Sequence, residues 1–80
     1  MRIDKYLKVS RIIKRRTIAK EACDRGLVSL NGRTCKAGAE VAVGDVLEVR
    51  FGENLFKARV VSLRESARKE DAEGMYEALE

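Results

Sequence analysis

Histidine is absent from this 80-residue sequence, and cysteine occurs twice. Standard zinc sites draw their four ligands largely from those two residue types, so neither a metal nor another cofactor is expected. Cys23 and Cys35 read as structural thiols, with Cys23 a small core residue on the apolar side of a helix. Catalytic patterns are missing as well. There is no GxSxG, no phosphate-cradling glycine loop and no carboxylate pair at active-site spacing, so the chain is not expected to be an enzyme. No apolar run approaches the roughly 20 residues that span a bilayer. Met1 to Lys5 does not open a signal peptide, which implies a cytoplasmic, reducing setting and no membrane partner. Aromatic residues are limited to Tyr6, Phe51, Phe56 and Tyr76. Tyr6 and Phe51 fall on apolar faces and are expected in the core rather than as platforms for stacked bases.

Acidic residues are scarce in one place above all. Residues 1–36 hold eleven Lys/Arg against Asp4, Glu21 and Asp24, a net of +8. Residues 37–80 hold six basic and ten acidic side chains, a net of −4, so the overall +4 hides a polarised molecule. An ordinary solvated helix face mixes signs, whereas the first 20 residues carry eight basic groups and one acid. Such a lobe is the electrostatic footprint of a phosphate-backbone binder. With 80 residues there is one domain's worth of chain and a thin core.

Periodicity orders the elements. Ile3, Tyr6, Leu7, Val9, Ser10 and Ile13 share one side of a first helix, with Lys5, Lys8 and Arg11 on the other. A turn around Ile13 to Arg15 leads into a second helix over Arg16 to Arg25, with an apolar face of Ile18, Ala19, Ala22 and Cys23, stopped by Gly26. The period then changes to 2. Leu27 to Leu30 and Arg33 to Lys36 flank Asn31-Gly32, the preferred pair for a type I′ hairpin. A loop over residues 37–45 contains a short extended piece at Val41 to Val43. Val46 to Phe51 and Leu55 to Leu63 follow as strands around a Gly52-Glu53-Asn54 turn. Ala72, Met75, Tyr76 and Leu79, at i, i+3, i+4 and i+7, predict a short acidic tail helix that packs back on the sheet, its acids keeping phosphate away from that end. The fold class expected is α+β: two N-terminal helices on a small antiparallel sheet over residues 1–63, and an amphipathic tail helix over 64–80.

Four pieces of this pattern occur together. Arg2-Ile3-Asp4-Lys5-Tyr6-Leu7 opens the first helix and Lys14-Arg15-Arg16 enters the second. Gly26-Leu27-Val28-Ser29-Leu30-Asn31-Gly32 joins helix to hairpin, and Val43-Gly44-Asp45 precedes a hydrophobic strand. In composition and spacing, residues 1 to about 51 resemble the S4 RNA-binding domain. In that family the two helices and the following loop present basic side chains to structured RNA. Many members carry a capping Ser or Thr where this chain has Arg15, which leaves Arg15 free for phosphate. The resemblance implies RNA contact by Arg2 and Arg16 first, then Lys5, Lys8, Arg11, Lys14 and Arg15, with Lys20, Arg33 and Lys36 at the rim. Asp4 is expected to orient a basic neighbour or cap the helix.

Over its whole length the chain is similar to the stand-alone S4 proteins of bacterial ribosome-associated quality control, and more distantly to the S4-type heat-shock protein of large ribosomal subunits. That likeness implies binding to a stalled large subunit through ribosomal RNA and peptidyl-tRNA. It also implies support for C-terminal alanine tailing of the nascent chain, beside a quality-control protein that recruits tRNA. Two other readings use the same residues. One is an assembly or recycling factor on free large subunits; the other is a protein-binding adaptor that uses the tail helix.

Overall fold

A computed structural model describes residues 1–79. Its elements run α1 (Ile3–Val9), α2 (Arg16–Asp24), β1 (Val28–Leu30), β2 (Arg33–Thr34), β3 (Val46–Phe51), β4 (Asn54–Val60), α3 (Lys69–Ala72), a 3-10 turn (Glu73–Met75) and β5 (Tyr76–Leu79). The strands form one antiparallel sheet in the order β2-β1-β3-β4-β5. Among the described residues, no helix is long and apolar enough to cross a membrane.

The apolar stripe predicted for the first helix is buried in full: Ile3, Tyr6, Leu7, Val9, Ser10 and Ile13 all lie in the interior. They pack with Ala19 and Cys23 of α2 and with Val28, Leu47, Val49, Ala58 and Val60 of the sheet. Removing those side chains from water is the main stabilising term for so small a fold. Ile18 departs from the expectation, being 49 % exposed on α2. Phe51, at the end of β3, is 46 % exposed rather than core, and it lines a shallow hollow with Ile18 and Ala22 of α2.

The hairpin forms as the Asn31-Gly32 pair dictates. Both residues have positive φ, 53° and 84°, the requirement of a type I′ turn. Asn31 also reaches across the sheet. Its side chain donates to Asp45 Oδ1 (3.1 Å) and accepts from the Val46 N–H (2.9 Å), latching the turn to the start of β3. The piece at Val41 to Val43 forms no strand. Instead, Glu40 makes an isolated bridge with Arg2, so the N-terminus holds the first part of the loop, while Gly44 and Asp45 at its end bond the backbone of Val60 in β4.

The tail requires a correction. A helix is present, but it covers only Lys69–Ala72 before tightening into the 3-10 turn, and Tyr76–Leu79 then pairs with β4 as an edge strand. Ala72 and Met75 are buried as the helical spacing implied, since one helical turn is enough to aim both at the core. Past Met75, the open N–H and C=O row of β4 offers a full ladder, which outcompetes another helical turn. Glu80, the last residue of the expected tail helix, lies outside the described residues.

Candidate nucleic-acid interface

The basic lobe is organised around one buried acid. Asp4, in the first turn of α1, has a side chain only 3 % exposed, yet it faces two arginines. Arg2 places Nε 3.3 Å from Oδ1 and Nη2 3.3 Å from Oδ2. Arg16, the first residue of α2, places Nε 3.4 Å from Oδ2 and Nη2 3.4 Å from Oδ1. Both guanidinium groups thus lie edge-on to a single carboxylate, and Oδ1 also accepts the Lys5 N–H at 2.8 Å. These bonds offset the cost of burying the charge.

The arginines themselves remain half exposed, 50 % for Arg2 and 47 % for Arg16. Their Nε–Nη2 edges are turned inward, which leaves the Nη1 donors of the planar guanidinium groups available to an oxyanion such as phosphate. Two cations on one anion keep a net positive charge at the spot. Arg2 also rests on the loop after β2: a Cβ on Gly38 would lie 3.9 Å from its Cζ. The backbone of that loop is tied to α1 by Ile3 N–H to Ala39 O (2.8 Å) and Val41 N–H to Met1 O (2.9 Å). The Met1 ammonium pairs with Glu40 at 2.8 Å. Gly38 and Glu40 therefore belong to the framework of the site, although nothing in their sequence pattern marks them.

The remaining basic residues take distinct places. Lys8 projects from α1, and Arg11 and Lys14 are exposed in the turn before α2. Arg15 is the N-cap of α2 and makes no side-chain capping bond, as its chemistry implies. Lys20 is exposed one turn after Arg16. Lys5 is already engaged, paired with Glu65 of the segment that precedes α3. That hydrogen bond holds the Glu65 carboxyl below its ordinary pKa. The acidic half is therefore not wholly turned away from the basic lobe. Arg33, on edge strand β2, and Lys36 are exposed but stand at the sheet margin rather than at the helix starts.

The cysteines are both free thiols. Burial first, then neighbouring Cys35 and nearby acids, pushes Cys23 up to about 12, and burial also raises Cys35. Both stay protonated at neutral pH and are poor nucleophiles.

The S4 domain family matches residues 1–47, which contain α1, α2, the β1–β2 hairpin and the loop beneath Arg2. The chain belongs to the S4 domain family. It is 52 % identical over 79 residues to the RQC P-site tRNA stabilizing factor of Streptococcus pneumoniae, covering 99 % of this chain and 90 % of that protein. It is equally 52 % identical to the protein of the same name from Bacillus subtilis, covering 99 % and 92 %. Among solved structures, heat shock protein 15 of Vibrio cholerae, described as trimeric, superposes with a TM-score of 0.91 at 25 % identity. That match covers 99 % of this chain and 81 % of the other. Its extent takes in the tail as well as the S4 core. The S4 core alone supplies the Arg2–Asp4–Arg16 cluster; the later strands and tail stand outside the matched segment.

Proposed function

We propose that this S4 protein is a non-enzymatic, cytoplasmic RNA-binding factor of ribosome-associated quality control. It sits on stalled large ribosomal subunits, contacts ribosomal RNA and peptidyl-tRNA, and supports C-terminal alanine tailing alongside a protein that recruits tRNA. The observation that carries RNA binding is the pair of half-exposed arginines held side by side on buried Asp4. Positioning the donors in advance lowers the ordering cost of gripping a phosphate. The ribosomal address is supported by the relatives of 52 % identity that bear the name RQC P-site tRNA stabilizing factor.

In this reading the grip acts as a clamp between two RNA backbones. Arg2 and Arg16 supply paired forks, Lys8, Arg11, Lys14, Arg15 and Lys20 extend the positive surface, and Arg33 and Lys36 lie at its rim. With about six phosphate contacts, affinity should fall on the order of a thousandfold between 50 and 200 mM salt, taking the duplex slope as a guide. Shape and backbone contact fit folded RNA, and among the described residues there is no row of exposed aromatics for single strands.

The decisive test is purification of the tagged protein from cells, with sequencing of the bound RNA and assay of the recovered subunits for peptidyl-tRNA. Large-subunit RNA together with peptidyl-tRNA, both lost in Arg16→Ala, is the expected result. Recovery of empty subunits alone would favour an assembly or recycling factor. Absence of ribosomal RNA would overturn RNA binding altogether. An adaptor that docks through a tail helix finds less support, because the end of the tail is built into the sheet as β5.

A further inference from the structure

Beyond the arginine pair, a cleft of about 660 Å³ opens between the end of α1 and the segment leading into α3. Lys8, Arg11 and Lys14 line one wall, and Glu65, Ser66 and Lys69 line the other. Its volume lies in the range of sites for small ligands, large enough for about one nucleotide and too small for a helix. Four cations to one carboxylate make it an anion site by charge. Arg11 is held there at φ 63°, in the left-handed region that costs a side-chain-bearing residue about 1–2 kcal/mol. The surrounding turn sustains that conformation, with Arg11 N–H donating to Lys8 O at 3.1 Å and Ile13 N–H to Leu7 O at 3.0 Å. Backbone strain of this kind tends to cluster where a side chain must be aimed.

The second wall is fixed by the tail. Tyr6 of α1 donates its hydroxyl to Met75 O at 2.7 Å, Ala72 and Met75 are buried, and Ala67 packs against the core. The folded tail thereby delivers Lys69 to the cleft. It also delivers Glu65, which leaves the cleft edge to pair with Lys5, one turn before Lys8 on α1.

We propose that this cleft is a second RNA site that seats one nucleotide's phosphodiester among Lys8, Arg11, Lys14 and Lys69, and that Glu65 is its built-in competitor. An arriving phosphate replaces the Glu65 carboxylate, which swings outward and frees Lys5 to join the contact. The site rests on the RNA-binding reading above and deepens it, because the tail is then part of the interface. Glu65 weakens binding to any isolated RNA and so favours targets that engage the arginine pair and the cleft together.

The test is a fluorescence-anisotropy titration of the full chain with 3′-fluorescein-labelled tRNA at several salt concentrations. Each variant is first checked by urea denaturation for unchanged folding. Lys69→Ala and Lys14→Ala are each expected to weaken binding about fivefold, and to reduce the salt slope by about one. Glu65→Gln is expected to tighten binding about fivefold, and in a Lys5→Ala background the part of that gain that comes from freeing Lys5 should be lost. Glu53→Gln, in the β3–β4 turn, serves as the control for the same charge change outside the cleft. If Lys69→Ala and Lys14→Ala are silent and Glu65→Gln matches Glu53→Gln, the cleft is overturned. Loss of binding in Arg16→Ala would then leave the RNA-binding reading standing. Should Arg16→Ala be silent too, both fall.

Discussion

The Nε of Arg16 lies 3.4 Å from the carboxylate of Asp4, twelve positions earlier in the chain, and this contact joins the starts of the two helices. Arg2 occupies the other side of the same carboxylate. Asp4 thus sets the spacing of two forks and tethers α2 to α1, and in the proposed RNA-binding reading it would act without touching the anion.

Asp4→Asn tests that role. The substitution raises the net charge, so a purely electrostatic surface would bind RNA more tightly. Loss of the two ion pairs should instead weaken binding about tenfold and cost about 1–2 kcal/mol of stability, the arginines being able to turn to water. Filter binding to tRNA and urea denaturation of the variant measure both, and tighter binding would exclude the orienting role.

Arg16 offers a finer comparison. Arg16→Ala should reduce the slope of log affinity against log salt by about one. Arg16→Lys retains the charge and hence the slope, but a lysine cannot lie fork-on to Asp4 and phosphate together. Its affinity should fall between wild type and alanine. Equal affinity of the lysine variant and wild type would show that charge alone suffices.

Tyr6 predicts a dependence on pH. Burial, with Tyr76 adding to it, raises its phenol from 10.0 to about 12 in the folded chain. A group whose pKa is higher folded than unfolded stabilises fully below the unfolded value and ceases to do so as pH rises through the folded one. Stability should thus drop by about 2–3 kcal/mol more in wild type than in Tyr6→Phe as pH passes from 10 to beyond 12. Near pH 7, Tyr6→Phe should cost about 1 kcal/mol through the lost bond to Met75 O. Denaturation midpoints of the two proteins across that range provide the check.

The tail's contribution to the core is open to the same method. Met75 is fully buried, so Met75→Ala should destabilise by about 2–4 kcal/mol. Ile18→Gln, on the exposed side of α2, should change stability by no more than about 0.5 kcal/mol. A tail detached from the core would make the two variants alike.

What the sequence determined by itself was local. The 3.6-residue period of α1 identified its buried apolar positions, because the helix presents one apolar face to the core, whereas the burial of Asp4 depended on its two arginine partners. Asn31-Gly32 specified the hairpin, since both positions need positive φ. The charge split marked the helical lobe, and it left Asp4 as either an orienter of a basic neighbour or a helix cap. Tertiary structure decided what depends on partners distant in the chain. Arg16 shares Asp4 because α2 packs on α1, and Gly38 supports Arg2 because the loop after β2 returns to the N-terminus. The last strand was beyond reach for the same reason. Ala72, Met75, Tyr76 and Leu79 have helical spacing, but the choice between helix and strand rested on the unpaired edge of β4, which exists only once the sheet has formed. Lys5 and Glu65, sixty residues apart, likewise meet only in the folded chain.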